Sequence, residues 1–288
     1  MSFSIVRIIN TKMHKIKLAT RLEAKALALL GRAAVLPITA LFRRHDRRLL
    51  WRLGEICFGS EQGGVYPEVS LASLIDAHTS IRILEMPSHF FNVMELELLA
   101  LAALTRQAEA QVVFEFGTAD GRTTRNLAAN LAPCGHVYTL NLPLEDDPIH
   151  RQDSPVGHRF QNTAEARQIT QLWGNSHKVD LSAYYNRCQV VFIDADHSEA
   201  GVALDSQSAL HMVDRERGLI IWHDALRYGV RKALPKLMRQ EHLPLHLITR
   251  TNLAILCFCG GHACSPEVWS RTTSRLRSPC EAIASTKQ

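Results

Sequence analysis

Short apolar runs alternate with stretches of helical periodicity through the middle and later part of the chain. Each run is bounded by turn residues, which is typical of buried strands. Strands that alternate with helices predict an α/β fold with a doubly wound, mostly parallel sheet. The last two runs are so close together that we expect an antiparallel hairpin. The seven predicted strands span residues 112–116, 136–141, 169–173, 188–193, 218–222, 245–250 and 253–258.

The same pattern divides the chain into helices and regions. Helices are predicted over 70–77, 92–105, 123–131, 198–213 and 228–240, with Asn92 as the N-cap of the second. Residues 143–168 form a long polar segment, a type of loop that is usually functional or mobile. The regions are an amphipathic arm (1–54), a helical lead-in (55–110), a core (111–260) and a polar tail (261–288) that we expect to be frayed.

The first predicted core strand runs into a glycine loop and then a helix N-terminus. Gly117 allows a tight turn at the strand end, and Gly121 keeps a Cβ away from a ligand. A strand, a glycine loop and a helix N-terminus together can hold a nucleotide-like ligand against bare backbone. Glu115, a carboxylate at the end of an apolar strand, needs a cationic or donor-rich partner. The spacing alone also fits a turn without a ligand.

Polar residues occur at the end of every predicted parallel strand. In doubly wound sheets the ligand binds at the carboxyl ends of the strands, so these side chains mark a candidate active site. They are Glu115 and Gly117, Asn141, Asn175 and Ser176, Asp194 and His197, and His223 and Asp224.

Charge is concentrated in the arm. Residues 1–54 contain twelve Lys or Arg and two acids, whereas the whole chain has a net charge of +5, so the remainder is acidic. The interleaved apolar residues favour contact with a membrane surface over nucleic acid binding, although packing on the body or on a partner and an organelle transit peptide also fit. The apolar window 33–42 is too short to span a bilayer.

Cysteine usage indicates the compartment. Seven cysteines in 288 residues do not form a secreted disulfide framework, so we expect a reducing, cytoplasmic location, with membrane-peripheral as the alternative. Cys257, Cys259, His262 and Cys264 lie close together, but their spacing is not a common zinc pattern. Buried strand cysteines are the preferred interpretation, with a zinc site as the alternative.

Taken together, these segments resemble the class I S-adenosylmethionine-dependent methyltransferases. More narrowly, they resemble the methyltransferase-24 branch, which includes small-molecule and sugar O-methyltransferases, over residues 66–258. The resemblance implies a Rossmann-like fold and S-adenosylmethionine as cofactor. The matching segments are Phe-Glu-Phe-Gly-Thr-Ala-Asp-Gly-Arg-Thr-Thr (114–124), Val-Tyr-Thr-Leu-Asn-Leu-Pro (137–143), Ile-Thr-Gln-Leu-Trp-Gly-Asn-Ser (169–176), Val-Phe-Ile-Asp-Ala-Asp-His-Ser (191–198) and Gly-Leu-Ile-Ile-Trp-His-Asp (218–224).

The resemblance also implies a cofactor site. Glu115, Gly117, Thr118, Asp120 and Gly121 would hold the amino acid half of the cofactor. Asn141 would take the ribose hydroxyls, Asn175 and Ser176 would approach the adenine, and Asp194 would complete the site. Asn141 and Asn175 stand where the family has acids. An amide still forms hydrogen bonds but loses the charge-assisted strength of a carboxylate, about a factor of two per bond.

Transfer of a methyl group to a hydroxyl needs alignment and a base. His197 follows Asp194 by three residues, as in similar sugar O-methyltransferases, and is the predicted base; the alternative is a helix cap. Asp194, His223 and Asp224 match the positions of metal ligands in metal-dependent relatives. Two carboxylates favour Mg²⁺, and a His ligand favours Mn²⁺, Fe²⁺ or Zn²⁺. The alternative to a metal site is that His223 and Asp224 only shape the pocket.

Three functions are consistent with these observations. The first is O-methylation of a small molecule or glycan. The second is RNA methylation, which the basic arm suggests; the segment Asp194-Ala195-Asp196-His197 argues against base methylation, and nucleic acid is not the expected partner. The third is a non-catalytic scaffold with a methyltransferase fold, which Asn141 and Asn175 suggest. Peripheral membrane contact through residues 1–54 and a homo-oligomer are further expectations.

Overall fold

The computed structural model describes residues 66–86, 93–143, 145–146, 155–227 and 229–276. The basic arm and Asn92 lie outside these ranges, so the predictions for them stay predictions. Within the described ranges, no helix is both long enough and apolar enough to cross a membrane.

Helices and strands follow one another in nearly the predicted order. The strands are β1 Glu68–Val69, β2 Val112–Phe116, β3 His136–Asn141, β4 Ile169–Trp173, β5 Val190–Ile193, β6 Leu219–Trp222, β7 His246–Ile248, β8 Ala254–Cys259 and β9 His262–Cys264. The helices are α1 Leu71–Leu74, α2 Glu95–Gln107, α3 Arg122–Ala128, α4 Glu199–Met212, α5 Val230–Glu241 and α6 Pro266–Leu276. The seven predicted strands are confirmed, and β1 and β9 are short additions at the sheet margin.

The strands form one sheet in the order β1-β7-β8-β6-β5-β2-β3-β4, with β9 paired to β8. Strands β2 to β6 pair in parallel, whereas β8 is antiparallel to β6, β7 and β9. The prediction of a Rossmann-like, mostly parallel sheet with an antiparallel hairpin is therefore confirmed. The chain reverses direction of travel across the sheet at β2, which lies between β3 and β5. This is the point where the carboxyl ends of the strands leave a crevice for a ligand.

Alternate residues of each strand face two separate apolar clusters, one on each side of the sheet. Val113 and Phe192 pack in the cluster that contains Leu98 of α2 and Leu127 of α3. On the opposite face, Phe114 and its neighbours pack against residues of α4 and α5. Because Glu115 follows the same alternation as Val113, its carboxylate points towards α3 and not towards α4.

The chain after β8 differs from the prediction of a frayed tail. Residues 266–276 form α6, and Trp269 is completely buried and donates from its indole nitrogen to the Arg217 carbonyl at 2.8 Å. Cys257 is buried and Cys259 forms a disulfide with Cys264. Cys257 is therefore a buried strand cysteine, as the preferred interpretation has it, whereas Cys259 and Cys264 are partly exposed and form a disulfide that was not predicted.

Candidate active site

Two glycines with left-handed backbone angles shape the loop between β2 and α3. Gly117 has φ of +94°, and a Cβ on it would lie 2.2 Å from the carbonyl oxygen of Asp194. Gly121 has φ of +85° and is the N-cap of α3, and a Cβ on it would lie 2.6 Å from Cδ1 of the Phe160 ring. Both glycines are thus required by the fold itself, since a side chain at either position would be strained and would collide with its surroundings.

The described end of the polar segment, residues 155–160, covers the glycine loop. Phe160 is buried against it, with 6% of its surface exposed. Two backbone hydrogen bonds join the segment to the loop, from Gly157 N to Ala119 O at 2.9 Å and from Arg159 N to Asp120 O at 3.0 Å. This part of the polar segment is therefore a structural cover over the predicted cofactor loop.

Glu115 is completely buried beneath this loop. Its Oε2 accepts hydrogen bonds from the hydroxyls of Thr124 and Thr139, the second at 2.6 Å. Its Oε1 has no hydrogen-bond partner in the described structure. Burial raises the pKa of Glu115 to about 8, although the hydrogen bonds from the two hydroxyls lower it. The negative charges of Asp194 and Asp120 add a smaller increase. A buried carboxylate with one unpartnered oxygen is a place where a cationic ligand group would be stabilised.

Thr118 of the glycine loop and Asn141 of β3, two predicted cofactor residues, join the loop to β3. The Thr118 hydroxyl lies 2.7 Å from that of Thr139 and accepts from Gln171 Nε2 at 3.0 Å. Asn141 Oδ1 accepts from the backbone nitrogen of Thr118 at 3.1 Å, and its Nδ2 donates to the Leu142 carbonyl at 3.0 Å. Asn141 is also mostly buried. The amide therefore holds the glycine loop onto β3, a role that a carboxylate could fill only in part because it cannot donate.

Asp120 is positioned by arginines. Its Oδ1 accepts from the backbone nitrogen of Arg122 at 3.1 Å, and its Oδ2 lies 3.1 Å from Arg122 Nη2 and 3.6 Å from Arg159 Nε. Arg122 also donates to the Met86 carbonyl. The carboxylate thus fixes the first turn of α3, which is where acidic side chains complement the helix dipole.

The turn after β4 contains Asn175 and Ser176. Asn175 Oδ1 accepts from the backbone nitrogen of His177 at 2.9 Å, which closes a local turn. Gly174 N donates to the Asn141 carbonyl at 3.0 Å, so the turn begins directly beside the end of β3. The structure therefore brings the predicted ribose and adenine residues to adjacent strand ends.

A second polar cluster lies at the ends of β5 and β6 and contains opposite charges. His223 is buried, with Nδ1 2.9 Å from Asp194 Oδ1 and Nε2 3.1 Å from Glu97 Oε2. Burial alone would lower the pKa of His223, but these two carboxylates raise it well above its usual range. Burial alone would raise the pKa of Asp194, but His223 and His197 hold it at about 2. His223 is thus an imidazolium between two carboxylates.

His197 lies beside the same aspartate and is about one third exposed. Its Nε2 is 3.5 Å from Asp194 Oδ1 and 3.4 Å from Asp224 Oδ2. Interactions with Asp194 and Asp224 raise the pKa of His197 to about 10, although burial opposes the rise. Asp224 itself has a left-handed φ of +52°, which is unusual outside glycine. Such backbone strain clusters at functional sites.

The donor set does not fit a magnesium ion. Asp194, His197 and His223 offer ligand atoms within 4.8 Å of one another. Both ring nitrogens of His223, however, already face carboxylates at hydrogen-bond distance, and a metal would have to displace Asp194 or Glu97. Mg²⁺ also prefers oxygen ligands in octahedral geometry. The predicted ligands Asp194 and His223 pair with each other, and Asp224 pairs with His197 and Arg227. The three predicted ligands therefore belong to a network of ion pairs.

Sequence reasoning missed four residues of the two clusters. Glu97 is a lone inward acid in the Leu- and Ala-rich helix α2, where it also accepts from the backbone nitrogens of Asn252 and Met94. The sequence signal was a carboxylate inside a helix with apolar neighbours on both sides. The others are Thr124 in α3, Thr139 in β3 and Gln171 in β4, whose side chains bind within the glycine-loop cluster.

Comparison with known proteins finds one family model that matches the same segments. Residues 114–225 match the methyltransferase-24 family model, whose description is "Methyltransferase domain". This range runs from the glycine loop to the end of the charged cluster, so it contains nearly every strand-end residue described above. No curated protein matches the chain in sequence.

Solved structures with a similar chain path include methyltransferases whose structures contain SAM or SAH. The O-methyltransferase TomG from Streptomyces achromogenes, in complex with SAM, is 18% identical, covers 59% of this chain and 82% of its own, and has a TM-score of 0.45. The O-methyltransferase from Bacillus cereus, in complex with SAH, is 20% identical, covers 59% of this chain and 82% of its own, and has a TM-score of 0.42. The SAH-bound methyltransferase PaMTH1 from Podospora anserina is 12% identical, covers 58% of this chain and 80% of its own, and has a TM-score of 0.47. At these identities the likeness concerns the fold alone.

Proposed function

Because the chain contains a class I S-adenosylmethionine-dependent methyltransferase domain, we propose that it transfers the methyl group to a hydroxyl of a small molecule or glycan. The observation that carries the proposal is the pairing of two different polar clusters on neighbouring strand ends. One contains a buried carboxylate with an oxygen that has no hydrogen-bond partner among the described residues, and the other contains a histidine, about one third exposed, between two aspartates. The first suits a cationic cofactor, and the second suits proton transfer from an acceptor.

Support for the cofactor comes from Glu115. An ammonium group would supply the donor that Glu115 Oε1 lacks, and a positive charge would favour the ionised carboxylate over the protonated one. The glycine loop lies directly above it at the N-terminus of α3, and the amide of Asn141 holds the loop in place. When bound, the cofactor supplies a methyl group that its sulfonium already activates.

Support for the acceptor comes from His197. It is the most exposed member of the charged cluster, so an acceptor hydroxyl can reach its ring from solvent. Asp194 and Asp224 fix the ring and stabilise its protonated form after proton transfer. The unprotonated fraction of His197, which grows as pH rises, is the competent base, and alignment of the acceptor assists the transfer.

The proposal is tested by isothermal titration calorimetry with S-adenosylhomocysteine, followed by a methyl-transfer assay over a panel of hydroxylated small molecules and glycans. We expect binding in the micromolar range or tighter and a methylated product with at least one acceptor. Absence of binding at millimolar ligand, with a folded protein by circular dichroism, would contradict the proposal. Binding without any product across an untargeted metabolite extract would contradict the catalytic part alone.

One observation favours a second candidate, a non-catalytic scaffold. Asn141 uses both ends of its amide within the protein, so the usual acid of the ribose site is replaced by a group engaged in holding the loop. Asn141→Asp separates the two candidates. If the protein is an enzyme, the substitution should change cofactor affinity by several fold, whereas a scaffold should bind no cofactor with either residue.

For the arm we propose peripheral membrane contact, which its basic and apolar composition supports. Deletion of residues 1–54 should reduce co-sedimentation with vesicles containing anionic lipid and leave pelleting with neutral vesicles unchanged. Equal pelleting of the full chain and the deletion on anionic vesicles would contradict the proposal.

A further inference from the structure

Asp205 is a buried carboxylate that the proposed chemistry does not use. It lies in the middle of α4 with none of its surface exposed, and neither carboxylate oxygen has a hydrogen bond of ordinary length in the described structure. Burial raises the pKa of Asp205 to about 6. Burying a carboxylate inside a protein costs free energy that burying an apolar side chain would not. The contacts of Asp205 therefore indicate what this carboxylate does.

The groups that face Asp205 come from the turn after β4. His177 Nε2 lies 3.4 Å from Asp205 Oδ1, and the Ser176 hydroxyl is the second neighbour; both favour the ionised form. The carboxylate of Asp196, from the loop after β5, faces it with like charge and opposes them. The attraction therefore runs between α4 and the turn after β4.

The helix that carries Asp205 is fixed to the sheet at the next residue. The Ser206 hydroxyl donates to the Val202 carbonyl at 2.6 Å and accepts from the indole nitrogen of Trp222 in β6 at 2.9 Å. Asp205 is thus presented from a rigid position, and the element that it can order is the turn.

Among the described residues, the other hydrogen bonds of the turn are at its beginning and within the turn itself. Gly174 N donates to the Asn141 carbonyl, and the backbone nitrogens of Lys178 and Val179 donate to the Asn175 carbonyl at 2.9 and 3.0 Å. These bonds define the shape of the turn but do not tie residues 175–177 to another layer of the protein. The contacts of Ser176 and His177 with Asp205 supply that connection.

We infer that Asp205 is a positioning residue that holds the turn 174–177 against α4 and thereby sets the affinity for the adenine half of the cofactor. The inference rests on the proposed function, in which Asn175 and Ser176 approach the adenine. It assigns the cofactor two separate supports: Glu115 for the amino acid half, from β2, and Asp205 for the nucleoside half, from α4.

Two ligands distinguish these supports in a calorimetric titration of the full chain. S-adenosylhomocysteine has both halves, whereas 5′-methylthioadenosine lacks the amino acid. Asp205→Ala should weaken the binding of both by the same factor, about tenfold or more. Glu115→Gln should weaken S-adenosylhomocysteine and leave 5′-methylthioadenosine unchanged. Asp205→Asn, which still accepts hydrogen bonds, should recover part of the affinity that Asp205→Ala loses.

Glu199→Gln is the matched control, since it removes one carboxylate from an exposed position of the same helix, where Glu199 pairs with Lys236. It should leave both affinities unchanged. Circular dichroism at the titration temperature checks that each variant is folded. If a folded Asp205→Ala binds 5′-methylthioadenosine as the wild type does, or if Glu115→Gln and Asp205→Ala have the same effect on the two ligands, the inference is wrong. If the wild type binds neither ligand, the proposed function fails first and the inference fails with it.

Discussion

Glu115 and Asp194 are carboxylates at the ends of neighbouring parallel strands, and their environments are opposite. Glu115 faces two threonine hydroxyls, keeps one oxygen unpartnered and has a pKa of about 8. Asp194 faces the imidazoles of His223 and His197 and has a pKa of about 2. Strands β2 and β5 pair directly, with Phe116 opposite Ile193. Glu115, which has no cationic neighbour in the cluster, is therefore close in the sheet to Asp194, which has two imidazole neighbours.

The difference indicates which part of the site a cationic ligand completes. Around Asp194 the protein supplies its own positive charges, so the ionised state exists without a ligand. Around Glu115 the protein supplies only neutral donors, and a ligand must bring the charge. Perturbed carboxylates of this kind mark functional sites with a physical rationale. Substitutions in the two clusters should therefore affect different measurements.

The largest effect is expected for His197→Ala, which removes the proposed base. We expect kcat to fall by roughly 10² to 10⁴-fold, the usual contribution of general base catalysis, with little change in cofactor affinity. His262→Ala, at an exposed position of β9, is the control and should keep full activity. If His197→Ala retained wild-type kcat, the base would have to be a different group.

A pH profile tests the same residue without substitution. Because interactions with Asp194 and Asp224 raise the pKa of His197, most of the enzyme without ligands has this ring protonated at neutral pH. The base form grows as pH rises, so kcat/KM should increase with pH and level off only above a pH of about 10. The slope should disappear in His197→Ala, and a flat wild-type profile between pH 7 and 9 would contradict the assignment.

Glu97→Leu tests whether the charged cluster is satisfied internally. Removing one partner of a buried ion pair leaves the His223 imidazolium uncompensated, so we expect the free energy of unfolding to fall by about 3–5 kcal/mol. The stabilisation from Glu97 is present above the pKa of an unfolded glutamate and is lost as pH falls, because His223 lowers the pKa of Glu97 in the fold.

The double variant Glu97→Leu with His223→Leu is the control for that experiment. It removes both partners, so urea denaturation should show that part of the lost stability returns. A single Glu97→Leu variant as stable as the wild type near neutral pH would mean that the cluster does not depend on this pair.

The sequence predicted the fold well because apolar runs and glycine turns are local signals. It could not predict Glu97, because a carboxylate in a Leu- and Ala-rich helix reveals its inward orientation only once the ends of β5 and β6 are placed beside it. Helix α6 was missed for a related reason: its composition is polar, and its anchors are the buried Trp269 and the hydrogen bonds of Thr273 and Ser274 with Gln107 of α2. Asn141 was predicted as a site residue at the end of a strand. Its contacts with the loop backbone could not be predicted, because they depend on the register between β2 and β3.

Glu115→Gln tests the other cluster. The substitution keeps the shape and the hydrogen-bond acceptor but removes the charge, so S-adenosylhomocysteine should bind about 10- to 150-fold more weakly, the value of one hydrogen bond to a charged group. Affinity in the wild type should also fall as pH drops below about 8, because protonated Glu115 must lose its proton to pair with an ammonium group. Thr170→Ala, on the edge strand, is a control that should bind normally. Equal affinity of Glu115→Gln and wild type at pH 9 would contradict the assignment.

The smallest effect is expected from metal removal, and it tests the claim that His223 and not a divalent ion neutralises Asp194. Both ring nitrogens of His223 face carboxylates, so a metal has no vacant imidazole nitrogen to bind there. Dialysis against EDTA should leave kcat and KM within about twofold of the untreated enzyme, and added Mg²⁺ or Mn²⁺ should not raise them. Loss of activity that Mn²⁺ restores would show that the cluster opens to admit a metal. In that case Glu97→Leu, which frees one nitrogen of His223, should bind the metal more tightly than the wild type.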